Sequence, residues 1–189
     1  MFMTKIEIDS GSSPFPKPIV LIGSIVDGRP NFFTVAWFNR MSRTPNIWGA
    51  CIGKTKYTLK GIRENKTFSV NFPNADMVVK TDYCGIRSGK DVDKSVLFDI
   101  FYGELETAPM IRECPVTAEC TLHDLVDIST HYIVLGEVKH VYSEEKYMTN
   151  DSLDQKKMNL LIFTKPALQY WTLGKVIANA YSIGKELEK

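Results

Sequence analysis

The stretch NFFTVAWFNRMSRTPNIWGACIGKTKYT, Asn31 to Thr58, decides the fold of this chain. It reads as two apolar strands, Asn31 to Met41 and Ile47 to Ile52, joined by the polar turn Ser42-Arg43-Thr44-Pro45-Asn46. Apolar runs bounded by Pro, Asn and Ser favour extended backbone. So short a connection favours antiparallel pairing, because parallel neighbours need a long crossover. The stretch leaves through Gly53-Lys54-Thr55-Lys56-Tyr57-Thr58, which sets lysines and threonines beside a permissive glycine. A phosphate monoester is held by such groups: ammonium donors, hydroxyl donors and backbone free to approach. An apolar strand wall next to an anion site suits a flat ring with a phosphate tail, and FMN fits that description. A solvated turn after a strand carries the same residues, so spacing leaves both readings open.

Working outward, Pro14, Pro16 and Pro18 keep residues 1–17 an extended approach. Ile19 to Val26 is a strand ending at the Asp27-Gly28 turn. Tyr57 to Asn65 predicts a short helix with Leu59 and Ile62 on one side, and Thr67 to Phe72 a strand stopped by Pro73. Asn74 is placed to cap a helix through Tyr83, with Gly85 as its left-handed stop. Gly85 to Ser95 (GIRSGKDVDKS) reads as a mobile polar loop, with a short helix after Asp93. Val116 to Leu122 alternates as a half-buried strand, with Thr117, Glu119 and Thr121 on its polar face. Tyr132 to Tyr142 is a longer strand in which Gly136 marks a bulge or a close approach. Tyr147 to Lys157 is loop-like, and Leu160 to Phe163 and Leu168 to Leu173 are short strands around Pro166. Strands dominate. Length and short turns favour a barrel, which leaves no free edge, with two or three helices inserted.

Composition bounds the rest. The 189 residues suffice for a single domain, taken as 1–189, with a sizeable core. The chain is 44% hydrophobic and 24% charged, with a formal net charge of +1. That balance is unsuited to bulk electrostatic binding of nucleic acid. No apolar run approaches a membrane span, and MFMTKIEIDS lacks a signal-peptide pattern. Cys51, Cys84, Cys114 and Cys120 form no CxxC pair and no zinc spacing. A reduced cytoplasmic protein without a metal site is the simplest expectation; a Cys84–Cys114 disulfide is the alternative.

The ordered set Pro16-Lys17-Pro18-Ile19-Val20-Leu21-Ile22, Asp27-Gly28-Arg29-Pro30-Asn31, Phe68-Ser69-Val70-Asn71, Asp93-Lys94, Ala108-Pro109, Glu119-Cys120 and His131 to Val138 resembles the flavin reductase-like family. These are the FMN-binding split barrels that include flavoredoxin and ferric reductases. The resemblance covers roughly residues 14 to 174 and implies a mainly β fold. It implies a six-stranded antiparallel Greek-key split β-barrel with short inserted helices, a homodimer, and FMN near the subunit interface.

It also implies site roles. Thr34, Val35, Ala36 and Trp37 match the segment whose backbone lies along the isoalloxazine, with Asn31 at its start. Cys51, Ile52 and Gly53 match the facing strand. Lys54, Lys56 and Thr58 match the phosphate-binding exit. Read as residues alone, Val35 and Ala36 are strand core, Trp37 is packing, Asn31 ends a turn, and the lysines are solvated. His131 matches a family histidine usually preceded by Gly-Asp; here Ser129-Thr130 precede it, which weakens the carry-over. Arg87, Ser88 and Lys90 fall where the family shapes its substrate mouth, and Tyr170-Trp171-Thr172-Leu173-Gly174 resembles its aromatic tail segment.

No catalytic dyad is required, since redox chemistry belongs to the flavin. The implied activity is an oxidoreductase passing electrons from NAD(P)H or a ferredoxin-like donor, through FMN, to a flavin, ferric chelate or protein acceptor. A non-enzymatic FMN electron carrier is the alternative, and a flavin-free dimeric ligand-binding barrel the third reading. The chain has no GxGxxG, so a nicotinamide donor would bind transiently over the flavin.

Overall fold

The computed structural model describes residues 4–188. Met1, Phe2 and Met3 of the expected extended approach and of the MFMTKIEIDS stretch, and Lys189 of the expected 1–189 domain, lie outside the described residues. The main sheet contains β1 (Val20–Val26), β2 (Arg29–Val35), β3 (Phe38–Ser42), β4 (Ile47–Gly53), β5 (Thr67–Phe72), β6 (Val116–Ile128) and β7 (His131–Ser143). Their order is β2-β1-β5-β6-β7-β4-β3, with every neighbouring pair antiparallel. The two edge strands are consecutive in the chain, parted only by a bend at Ala36-Trp37. The expected strand Asn31 to Met41 is thus one bent ribbon bounding both edges, and counted once it leaves six strands. The Cys51 N–H donates to the Trp37 carbonyl at 2.8 Å, carrying pairing across the bend.

The β1–β2 hairpin turns on Asp27 (φ 50°) and Gly28 (φ 77°), the paired left-handed conformation that suits a two-residue loop. Val20 and Ile22 of β1 enter the barrel core with Val35, Ala50, Ile52, Phe68, Val70, Cys120 and Val134. Leu21, on the opposite face, packs with Phe32, Met77, Cys84, Ile111 and Cys114. Both faces of β1 are covered, which is why its sequence runs apolar without alternation. Helix α1 (Thr58–Asn65) sends Leu59 and Ile62 into the barrel core. Its Gly61 lies against β1 so closely that an added Cβ would be 2.1 Å from the Ile25 carbonyl oxygen.

Several expectations are corrected. Asn74 opens a 3-10 turn, Ala75–Met77, without a side-chain cap. Helix α2 (Val78–Ile86) then runs through Gly85 and ends at Arg87 in extended backbone. Gly85 is therefore no left-handed stop, and a Cβ there would make only ordinary contact with Thr34, at 3.4 Å. The N-terminal half of β6 is covered on both faces. Its Glu119 is fully buried and accepts from the Glu104 and Leu105 N–H groups and the Tyr142 hydroxyl, tying the 103–105 segment over the sheet. Residues 147–158 carry a small hairpin and helix α3 (Gln155–Met158), capped by the Asp154 carboxylate. All four cysteines are free, so the Cys84–Cys114 alternative falls. Gly136 sits at a register shift, with a Cβ there only 2.3 Å from the Phe68 ring. Lys17–Pro18, Ile162–Thr164 and Gln169–Trp171 form a separate small sheet.

Candidate functional site

The start of α1, the middle of β2 and the end of α2 converge on a recess of about 190 Å³. Its lining includes Asn31, Lys56, Thr58, Arg87, Ser88 and Lys94. Asn31 on β2 and Thr58 on α1 are both buried, and the Asn31 Nδ2 donates to Thr58 Oγ1 at 2.7 Å. The Asn31 Oδ1, also buried, has no hydrogen-bond partner among the described residues. A buried carbonyl left this way costs about 1–3 kcal/mol. Gly89 allows the close packing here, since a Cβ would fall 2.0 Å from Asn31 Oδ1.

Lys94 corrects the mobile-loop reading. It is only 2% exposed, and its Nζ donates to the carbonyls of Phe32 and Cys84, each at 2.9 Å. Asp93 directs it inward: its carboxylate accepts from the Ser95 N–H and hydroxyl, making a tight local turn. Burial draws the Lys94 ammonium below its usual range; the Cys84 thiol opposes this, and Lys56 adds to it. The charged groups acting on it include no carboxylate. A buried cation without an anion is costly unless a ligand supplies one. With the unpartnered Asn31 oxygen, the recess has the donors for an anion and an acceptor for a hydroxyl.

Beyond the recess lies a wider basin of about 830 Å³ that shares Thr55, Lys56 and Tyr57 with it. Lys54, Lys60, Arg63 and Lys90 line the basin, opposed by Asp27 and Glu64. Lys54 is engaged by Asp127 at 2.6 Å and stands over the Tyr132 ring, which Arg63 also covers. Lys60 pairs with Asp27 and, as the largest cause, lowers its carboxyl pKa. Lys56 rests over the Phe33 ring, 4.8 Å from its centroid.

On the outer face, an apolar trough of about 470 Å³ is lined by Ala36, Trp37, Met41, Cys51, Ile128 and Ile133, with Phe15 and Pro18 at its margin. Trp37 is 49% exposed, and its ring lies 5.2 Å from that of His131. His131 pairs with Gly53 across β7 and β4, and its Nδ1 is 2.8 Å from the Thr130 hydroxyl. Cys51 is half-buried, which raises its thiol pKa. Val35 and Ile52 point into the barrel core, so backbone is what they offer a ligand. The Thr34 hydroxyl is already committed to the Thr81 carbonyl on α2.

A flavin reductase-like domain model matches residues 11–165. The chain belongs to the flavin reductase-like family. Among solved structures, this family member is similar to flavoredoxin from Methanosarcina acetivorans, at 44% identity and TM-score 0.95, covering 98% of this chain and 100% of that one. It is also similar to flavoredoxin of Desulfovibrio vulgaris (Miyazaki F), at 30% identity and TM-score 0.87, covering 97% and 100%. A curated relative, an uncharacterized protein of Aeropyrum pernix, is 30% identical over 70% of the chain, a match spanning 52% of that protein's length.

Within the flavin reductase-like frame, Asn31, Lys56, Thr58, Arg87 and Ser88 share one recess, while Lys54 and Lys90 face the outer basin. Ala36, Trp37 and Cys51 share the trough. Sequence reasoning passed over Lys94 as a recess residue, although Asp93-Lys94 stood in the quoted motif set; the signal was the Asp93/Ser95 turn. It also passed over Lys60 and Arg63, which α1 presents one turn apart. Among the described residues, no cluster of three or more His, Cys, Asp or Glu is arranged to hold a metal, and no helix is long and apolar enough to cross a membrane.

Proposed function

We propose that this protein is an FMN-binding electron carrier of the flavoredoxin kind, acting as a homodimer. The observation that carries the reading is Lys94, a buried ammonium that, among the described residues, has no carboxylate, beside an Asn31 oxygen with no partner there. In this reading Lys94, Lys56 and Thr58 hold the phosphate, and Asn31 Oδ1 accepts from a ribityl hydroxyl. Arg87 and Ser88, at the recess mouth, close over the tail. The backbone of Ala36-Trp37 and of Cys51 to Gly53 lies along the ring, and Trp37 with His131 covers it from water. Bound FMN supplies reversible electron transfer, and the protein binds, orients and shields it.

The likeness to two flavoredoxins supports a carrier that passes electrons between proteins. The basic basin supports an acidic reduced donor of the ferredoxin class. A second reading, an NAD(P)H-linked flavin or ferric-chelate reductase, rests on the family and on the same basin, whose cations suit a dinucleotide's phosphates.

The test compares FMN with riboflavin by calorimetry. Charge-assisted contacts are worth about 1.5–3 kcal/mol each, so loss of the phosphate should weaken binding by a hundredfold or more, on the order of two such contacts. Equal affinities would remove the phosphate assignment. Stopped-flow reduction by NADH, NADPH and reduced ferredoxin then separates the readings: fast reduction by ferredoxin alone supports the carrier, and rapid nicotinamide turnover supports the reductase.

A further inference from the structure

Among the described residues, two surfaces lack a partner, and they complement each other. The first is the trough on the outer face of β3, β4, β7 and β6. Trp37, Met41 and Ile128 are about half exposed there, beside Cys51 and Ile133. Outward positions of a barrel strand are normally polar when they face water. The second is the segment after Trp171. Every residue from 172 to 188 is exposed, including Leu173, Val176, Ile177, Tyr181 and Leu187. Val176, Ile177, Tyr181 and Leu187 are 77–99% exposed, beyond what scattered surface apolar residues show. Its hydrogen bonds outside regular structure are local, from Ile183 to Asn179 and from Lys185 to Ser182, and its final 3-10 turn, Ile183–Glu188, buries nothing.

The tail leaves one edge strand of the small sheet, Gln169–Trp171, while the opposite edge strand, Lys17–Pro18, borders the trough. It therefore departs from the side away from its own chain's trough. At roughly 3.3 Å per extended residue it can reach on the order of 50 Å, enough to cross to a neighbouring barrel.

We infer that residues 172–188 of one copy dock along the Trp37–Met41–Ile133 trough of a second copy, reciprocally, so that each tail closes its partner's trough. Each copy supplies what the other lacks, an uncovered apolar face and an apolar segment with nothing to cover. This is the self-complementary arrangement of a two-fold dimer. The inference rests on the flavin reading only in placing Ala36, Trp37 and Cys51 near the ring. On that reading, the partner's tail completes the cofactor's apolar wall.

The experiment uses the full chain with substitutions at exposed positions, so folding is not at stake. Light scattering and sedimentation should show a dimer for the wild type. Ile177→Asp with Tyr181→Asp on the tail, or Met41→Asp in the trough, should each weaken it, the double tail variant by at least about 100-fold, the scale of two lost interface anchors. A photo-crosslinking residue at position 177 should give a product of twice the chain mass, joined to trough peptides. Adducts at monomer mass, a wild-type monomer, or dimers indifferent to both sets of substitutions would each overturn the inference. Bound FMN is counted in the same samples. A flavin-free protein that still exchanges tails removes the flavin reading alone, and a flavin-loaded monomer removes tail exchange alone.

Discussion

Lys94 shows how one side chain carries opposite demands. Burial disfavours its charge, yet a bound anion requires it. In the folded, cofactor-free state its pKa lies below the usual 10.5, so the unfolded chain binds more protons between those two values. Stability without cofactor should therefore rise with pH through that window. Cys84 acts in the opposite sense: burial pushes its thiol up to about 11, so its contribution is lost as pH climbs from 9.0 to that value. The difference between wild-type and Lys94→Met pH–stability curves isolates the lysine. Lys94→Met should leave cofactor-free stability at neutral pH little changed, because removing a buried charge is offset by stranding the Phe32 and Cys84 carbonyls that it bonds. The same variant should weaken FMN binding by about 10- to 150-fold, one charge-assisted contact. Urea melts and flavin titration check the two outcomes together. The thiols give a second prediction at this scale. Burial raises all four, Cys114 and Cys120 strongly. A thiol-specific chromogenic reagent at pH 8 should modify Cys51 slowly and leave the other three, whereas denatured protein should show four reactive thiols. Rapid reaction of more than one thiol in folded protein would contradict this packing.

Among the elements, α1 decides the site because it carries Thr58 on the recess and Lys60 and Arg63 on the basin. Its distance from β1 is set by Gly61. In an isolated helix, glycine to alanine gains roughly 0.5–1 kcal/mol. Here the new methyl would meet the Ile25 carbonyl at 2.1 Å, and backbone cannot rotate away. The clash wins, with overpacking of this kind costing about 1–3 kcal/mol. Gly61→Ala should lower stability by that amount in urea denaturation and weaken FMN binding by shifting Thr58. An unchanged or raised unfolding midpoint would mean that α1 is free to slide. The helix itself was legible beforehand from Leu59 and Ile62, as was the β5 span. The end of α2 was not, because Gly85 resembles a left-handed stop in sequence, yet it lies within the helix, which ends at Arg87 in extended backbone.

At the scale of the whole molecule, the charges of α1 and of the 87–94 segment meet at one end of the barrel, although net charge is only +1. Local concentration, not total charge, steers a partner. Lys60→Ala with Lys90→Ala should slow reduction by an acidic ferredoxin several-fold at low salt and flatten its ionic-strength dependence, with FMN content unchanged. Stopped-flow rates across a salt series read this out, and rates equal to wild type at every ionic strength would move the docking site elsewhere. Local pattern in the chain was enough for the antiparallel mainly β class, the location of most main-sheet strands, the Asp27-Gly28 hairpin and the Gly136 irregularity, though β6 runs on to Ile128, past its expected end at Leu122. Each of these is written within a few neighbouring residues, as periodicity, turn chemistry or a missing side chain. The motif order likewise carried the family. What needed the folded molecule was every pairing between distant residues. Asn31 bonds Thr58 and shares a recess with Lys94, Glu119 is buried under the 103–105 segment, and the Asn31 to Met41 ribbon bends to bound both sheet edges. A loop lysine and a core lysine are identical in sequence. Their difference is the packing around them, and that is set by the whole sheet rather than by the residues beside them.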